Sequence, residues 1–235
     1  MNNPEPEVPH NIDPLGLEIL GKLRDNPAAG EIIIGGGFAL AHYHEFRETH
    51  DIDGWWVSAP TQQAKAAIRD AVETTASQNG YDFRERAWGE TFSYEILRKD
   101  ATSGKIFSFQ MATRDVHIDP PRKSLWSPVL LETLRDNIAS KMNALVDRGA
   151  PRDFIDIYEL ISVGICSIEE CWSLWQLKNP ETSVSQAKDK LLQKMTQIEA
   201  RTSLEKMEPE PRAIAVKRRE FFTTAFLKGG NGNGY

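Results

Sequence analysis

Three consecutive glycines, Gly35-Gly36-Gly37, follow a short apolar run, and two aspartates stand at alternate positions shortly after them, Asp51 and Asp53. A tight glycine turn that opens a helix presents backbone N–H groups suited to a phosphate. In a strand, residues two apart project from the same face, so Asp51 and Asp53 would stand together while Ile52 faces the core. Two such carboxylates repel one another unless a cation sits between them. Mg²⁺ prefers one or two carboxylates and completes its shell with water and phosphate oxygens. The chemistry that needs a phosphate cradle beside a cation-binding carboxylate pair is phosphoryl transfer.

A second constellation lies further on: Lys141, Arg148, then Gly149-Ala150-Pro151, then Arg152-Asp153-Phe154-Ile155-Asp156. Lys141 and Arg148 are seven apart and share a helix face, as do Asp153 and Asp156, three apart. Two helices joined by a short Gly-Pro connection would run roughly antiparallel and could bring Lys141 near the two aspartates. Two readings remain open on spacing alone: a structural ion-pair network, or a lysine aimed at phosphates and steadied by a helical aspartate. Other groups are weaker. His42 and His44 diverge on a helix, and the pattern His44-Glu45 lacks a second histidine one turn on, where Glu48 stands. Trp172 and Trp175 read as core, with base stacking as the alternative.

The elements that must position these residues follow from periodicity. A helix is expected from Pro14 to Asp25, with Asp13 as its cap. A buried strand is expected from Glu31 to Gly35, a short helix from Phe38 to Glu45, and a second strand from Asp51 to Val57. An alanine-rich helix from Thr61 to Gln78 stops at Asn79-Gly80. Three strands follow, Tyr81 to Trp88, Thr91 to Arg98 and Lys105 to Thr113, joined by turns at Trp88-Gly89-Glu90 and Asp100 to Gly104. From Ser127 onward the pattern is helical only: Val129 to Asp147, Arg152 to Ser162, Ile168 to Leu177, Ser183 to Arg201 and Pro211 to Lys228. The expected organisation is a disordered lead-in over 1–12, an α/β domain over 13–127, a helical domain over 128–228 and a flexible tail over 229–235.

Composition sets the outer limits. The 235 residues are 40% hydrophobic and 26% charged, enough apolar material for a substantial core. No apolar stretch approaches the ~20 residues of a membrane span. The N-terminus carries Pro4, Pro6, Pro9 and Pro14 and no Lys or Arg, so it does not read as a signal peptide. Cys166 and Cys171, taken as residues of one helix, would point to different sides as reduced core thiols of a cytoplasmic protein. A net charge of −6 argues against a general nucleic-acid coat and leaves room for a local basic surface. Arg114, Arg122 and Lys123 form one basic stretch, Lys141, Arg148 and Arg152 another, and Lys217, Arg218 and Arg219 a third.

Taken in order, Ile33-Ile34-Gly35-Gly36-Gly37-Phe38-Ala39-Leu40, Arg47-Glu48-Thr49-His50-Asp51-Ile52-Asp53 and Lys141…Arg148…Arg152-Asp153-Phe154-Ile155-Asp156 resemble the AbiEii/AbiGii (MenA-like) nucleotidyltransferase toxin family, over roughly residues 30–162. The resemblance implies an α/β, DNA polymerase β-like nucleotidyltransferase core with a mixed sheet, followed by an all-helical C-terminal half. It implies a Mg²⁺- or Mn²⁺-dependent enzyme that uses an NTP, moves NMP to an RNA acceptor such as a tRNA 3′ end, and serves as the toxin of a toxin–antitoxin or phage-defence pair in the cytoplasm. By motif position, Asp51 and Asp53 would be metal ligands. Gly36, Gly37, Arg47 and Arg152 would line the nucleotide site, Lys141 would contact phosphate, and Asp153 or Asp156 would complete the site. The wider superfamily supplies a third carboxylate from a later strand, where this chain has Gln110; Glu95, on the neighbouring strand, is the other candidate. NMP transfer to a protein hydroxyl, or nucleotide or partner binding without turnover, are the alternatives to the RNA reading.

Overall fold

The computed structural model describes residues 4–99, 104–113, 116–201 and 208–228. The turn at 100–103, Arg114 and the expected tail at 229–235 lie outside the described residues. The chain divides between Asn137 and Ile138 into two compact units.

The first unit is built on a mixed seven-stranded sheet. Its strands are β1 (Ile32–Gly35), β2 (Asp51–Trp56), β3 (Asp82–Trp88), β4 (Thr91–Leu97), β5 (Lys105–Ala112), β6 (Arg122–Lys123) and β7 (Leu130–Leu131), in the order β3-β4-β5-β2-β1-β7-β6. β1 and β2 are antiparallel, β2 and β5 parallel, and β3-β4-β5 an antiparallel meander. The helices α1 (Pro14–Arg24), α2 (Gly36–Ala41) and α3 (Gln62–Gln78) belong to this unit. Alternation sorts the sheet into two faces. Ile32, Ile34, Ile52, Trp56, Tyr94, Ile96, Phe107, Phe109 and Met111 form one, buried with Ile19, Leu20 and Leu23 of α1 and Ile68 and Val72 of α3. Asp51 and Asp53 lie on the other.

One expectation is corrected here. Leu130–Leu131, read as the start of a helix, pairs in parallel with Ile33–Ile34 instead, and the helix α4 (Leu134–Asp147) begins only after it. Thr133 supplies the start signal: its Oγ1 accepts from the Asp136 N–H at 3.2 Å, satisfying a donor at the helix N-terminus. Described residues of the lead-in make several contacts. Glu7 N–H donates to the His42 carbonyl (2.8 Å), His10 and Asn11 N–H both donate to the Glu45 carboxylate, and Glu5 pairs with Arg122. Proline there prevents regular structure without preventing attachment.

The second unit is helical. It contains the rest of α4, then α5 (Pro151–Ser162), α6 (Ile168–Lys178), α7 (Val184–Arg201) and α8 (Pro209–Phe221), which runs on into a wider turn over Phe222–Phe226. Its interior includes Met142, Leu145, Ile157, Leu160, Trp172, Trp175, Leu191, Phe222 and Phe226. Trp172 stacks at a tilt on Phe226, centroids 5.1 Å apart, and donates its indole N–H to the Phe226 carbonyl. The expected divergence of the cysteines does not hold: the two Sγ atoms are 3.4 Å apart. Cys166 precedes the cap Ser167 of α6, so helical spacing does not apply to it. No described helix is long and apolar enough to cross a membrane.

Candidate active site on the polar face of the sheet

The Asp51/Asp53 pair stands as the alternation requires, both half-buried with Ile52 turned into the core. Asp53 pairs across the antiparallel ladder with Gly35, so the carboxylates lie beside the glycine turn. Gly36 has φ +62°, the left-handed conformation that disfavours a side chain. A Cβ there would lie 2.8 Å from Asp53 Cβ and 2.9 Å from its Cγ, closer still to Oδ2. The turn and the carboxylate are thus packed directly together. α2 starts at Gly36 itself and ends at Ala41, six residues instead of the expected Phe38–Glu45. With so short a helix the dipole is small, and an anion there would be held chiefly by backbone N–H groups and nearby cations.

Arg47 supplies such a cation. A Cβ on Gly37 would meet Arg47 Nη2 at 3.1 Å and Thr49 Oγ1 at 3.2 Å. Thr49, buried, donates to Asp51 Oδ1 at 2.6 Å and orients that carboxylate. Gly36, Gly37, Arg47, Asp51 and Asp53 are therefore brought together in one unit. The turn is braced from behind. Asn137 Nδ2 donates to the Gly36 carbonyl (2.9 Å) and to Glu132 Oε2 (3.2 Å), while the Tyr43 hydroxyl donates to the Glu132 carbonyl (2.9 Å). Burial pushes the Tyr43 phenol well above its ordinary range, so it remains a donor. Asn137 and Glu132 are fully buried and were missed by the sequence reading, since neither forms a recognisable spacing with the turn.

Ladder register places the remaining candidates. Asp53, Gln110, Ser93 and Arg86 form one row across β2-β5-β4-β3, and Asp51, Ser108, Glu95 and Arg84 the next. Gln110 is thus the direct neighbour of Asp53, at the position where a third carboxylate was expected. Glu95 lies two strands from β2, and its Oε2 is held by Arg84 (Nη2 2.6 Å, Nε 2.7 Å) and Arg86 (Nε 3.4 Å). No group of three or more His, Cys, Asp or Glu fit to hold a metal occurs among the described residues. Asp51 and Asp53 nonetheless fit a hard divalent cation that takes its other ligands from phosphate and water, because both are oxygen donors on one face.

In the helical unit the second constellation resolves into two separate pairs. Lys141 Nζ lies 2.6 Å from Asp156 Oδ2, both buried. Asp153 goes to Arg148 instead, accepting at 2.6 Å from Nη2 and 3.1 Å from Nε, and it accepts from the Ala150 N–H at 2.9 Å, closing the first turn of α5. Arg152 is exposed at the start of that helix. The spacing that joined Lys141 to both aspartates therefore selects Asp156 alone.

Comparison with known proteins bears on the family and the fold. No curated protein matches the sequence. Two solved structures from Helicobacter pylori are similar to it, each at 18% identity over 89% of this chain. One is JHP933, matched over 89% of its length with a TM-score of 0.49; the other, assigned provisionally as a nucleotidyltransferase, is matched over 92% with a TM-score of 0.50. The second likeness bears on the fold alone. The model of the nucleotidyl transferase AbiEii toxin family, type IV toxin–antitoxin systems, matches residues 18–225, nearly the whole described chain. The chain belongs to that family and is a nucleotidyltransferase.

Proposed function

We propose that the protein transfers NMP from an NTP to the 3′ hydroxyl of an RNA, with a tRNA 3′ end as the acceptor, and acts as a cytoplasmic toxin restrained by a cognate antitoxin, in phage defence or a similar role. The observation that carries this reading is the packing of Gly36 against Asp53, with Arg47 beside Gly37. It supports the reading because a glycine backbone open to close approach, a guanidinium and a carboxylate pair then stand within one patch.

In the proposed reaction the acceptor oxygen forms a bond to the α-phosphorus, the bond from that phosphorus to the β-phosphate bridging oxygen breaks, and pyrophosphate leaves with the NTP's remaining charge. A divalent cation, Mg²⁺ or Mn²⁺, bound by Asp51 and Asp53 would neutralise phosphate charge. Arg47 would offset the negative charge that accumulates on the phosphates. Thr49 keeps Asp51 turned to the open face. Gln110 cannot accept the acceptor's proton as a carboxylate would, so that proton passes to water or to the acceptor's own groups.

Incubation with each α-labelled NTP and either unfractionated tRNA or total protein tests the reading. Label on tRNA, lost in Asp51→Asn with the fold intact, is the expected result. Label on protein would move the acceptor, and no label from folded protein in any mixture would refute transfer.

A further inference from the structure

The polar face of the sheet continues past the carboxylates to the edge strand β3, and nothing in the proposed reaction uses that part. Three cations lie there. Arg84 and Arg86, two apart on one strand, face the same way, with side chains 41% and 53% exposed. Lys105, exposed, reaches Ser108 with its Nζ at 3.2 Å from Oγ, and so arrives in the row of Asp51. Trp88, at the end of β3 and two residues beyond Arg86, shares the face and is 52% exposed. Between Arg86 and Asp53 lie only the neutral groups Ser93 and Gln110, and between Arg84 and Asp51 lie Ser108 and Glu95, which the arginines hold.

Glu95 gives this group its stiffness. Its largely buried carboxylate takes both arginines on one oxygen, so the two guanidiniums are held side by side over β4 at the cost of one negative charge. Asp82 shares the face one step further from the carboxylates, and Glu85 faces the other way, to Arg69 at 3.3 Å. Glu90 is exposed in the turn beyond Trp88, so the carboxylates number three as the cations do, and Glu95 is the one already paired with the arginines.

Direction follows from the reaction. In-line displacement puts the attacking oxygen and the leaving pyrophosphate on opposite sides of the phosphorus. The glycine turn and Arg47 flank β2 on its β1 side, so a triphosphate held there leaves the β5 side for the acceptor. Strands spaced by about 4.8 Å put β4, and the guanidiniums anchored above it, roughly 10 Å from β2. A single-stranded end whose terminal hydroxyl sits at Asp53 would cross Gln110 and Ser93 and meet the arginines and then Trp88. Cations with an exposed aromatic ring are the combination that holds single-stranded nucleic acid, charges tracking phosphates and the ring stacking a base.

We propose that Trp88, Arg84, Arg86 and Lys105 form the binding track for the single-stranded 3′ segment of the RNA acceptor. The inference rests on the RNA reading above and adds the path by which the strand approaches. Trp88→Ala and Arg86→Gln test it in the full chain; Trp88 is exposed, and Arg86→Gln leaves Arg84 on Glu95, so neither variant strips the buried carboxylate of its partner. With unfractionated tRNA as the probe, Trp88→Ala should weaken binding roughly tenfold. Arg86→Gln should weaken it several-fold and flatten the dependence of log Kd on log salt by about 0.7. The KM for NTP should not move in either. Glu95→Gln should leave tRNA affinity equal or higher, because it removes a negative charge beside the phosphates. Unchanged tRNA affinity and salt slope in both Trp88→Ala and Arg86→Gln, with labelled tRNA still formed, overturns the track and leaves the RNA reading standing. Label on protein instead of tRNA overturns both.

Discussion

Replacing Gly36 by alanine isolates the link between the glycine turn and the carboxylates. Its φ of +62° costs an alanine about 1–2 kcal/mol of backbone strain. The new methyl group would stand 2.8 Å from Asp53 Cβ, against the ~3.5–4.0 Å at which carbons pack. Asp53 or the turn must therefore give way by roughly 1 Å, and displacement of that size at a reacting centre costs on the order of 100-fold in rate. Stability should fall by about 1–3 kcal/mol, with each kcal/mol lowering Tm by about 2–4 °C for a chain of this size. Gly21→Ala is the matched control. It lies inside α1, nothing stands within 4 Å of its would-be Cβ, and it should stabilise by about 0.5–1 kcal/mol.

The assay pairs thermal unfolding with initial rates of transfer from an α-labelled NTP, so that activity is compared only among folded protein. Gly36→Ala should keep a cooperative transition and lose most of its turnover, while Gly21→Ala keeps both. A folded Gly36→Ala that transfers within about threefold of the parent would refute the reasoning, because it would mean Asp53 need not hold its place against the turn.

Three further outcomes follow from the buried charges. Asp156→Leu should cost about 3–5 kcal/mol by leaving the buried Lys141 ammonium without its carboxylate, and adding Lys141→Met should recover part of that loss; urea titration of the single and double variants reads both steps. Asp153→Ala should cost about 1–3 kcal/mol through the lost α5 cap and Arg148 contacts, read as a lower urea midpoint at unchanged slope; an unchanged midpoint would deny Asp153 its structural role. His42 is pushed down to about 4 by burial, against the opposing pull of the Phe38 carbonyl and Glu45. Below about 6.5 the unfolded chain takes up a proton that folded His42 refuses, so stability falls as pH drops from about 6.5 to about 4, by up to about 3 kcal/mol. His42→Phe should flatten stability across that window, and an unaltered slope would assign the acid sensitivity elsewhere.

The features legible in the residues and those hidden from them divide along physical lines. Asp51 and Asp53 were legible because a strand's period of two is rigid, and Ile52 and Trp56 pin the register by burial. The same rule places Arg84 and Arg86 together on one face, a signal present in the sequence but outweighed by clusters that were contiguous in it. Contiguity misleads, since Arg122 is paired with Glu5 and Arg148 with Asp153. Helix periodicity failed in two places for one reason. Leu130–Leu131 is apolar at helical spacing from the α4 residues beyond it, yet it lies before the Thr133 cap and pairs in parallel with β1, extending the sheet past that strand. Cys166 likewise precedes the Ser167 cap. A cap residue ends the domain over which helical spacing means anything, so the position of the cap had to be read before the period. Lys141 shows the remaining limit. Spacing put two aspartates within its reach, and only the bond from Ala150 N–H to Asp153 decides between them, because a carboxylate already closing a helix turn and gripping Arg148 has no freedom left to steady a lysine. That choice depends on backbone donors that every sequence has and no sequence displays.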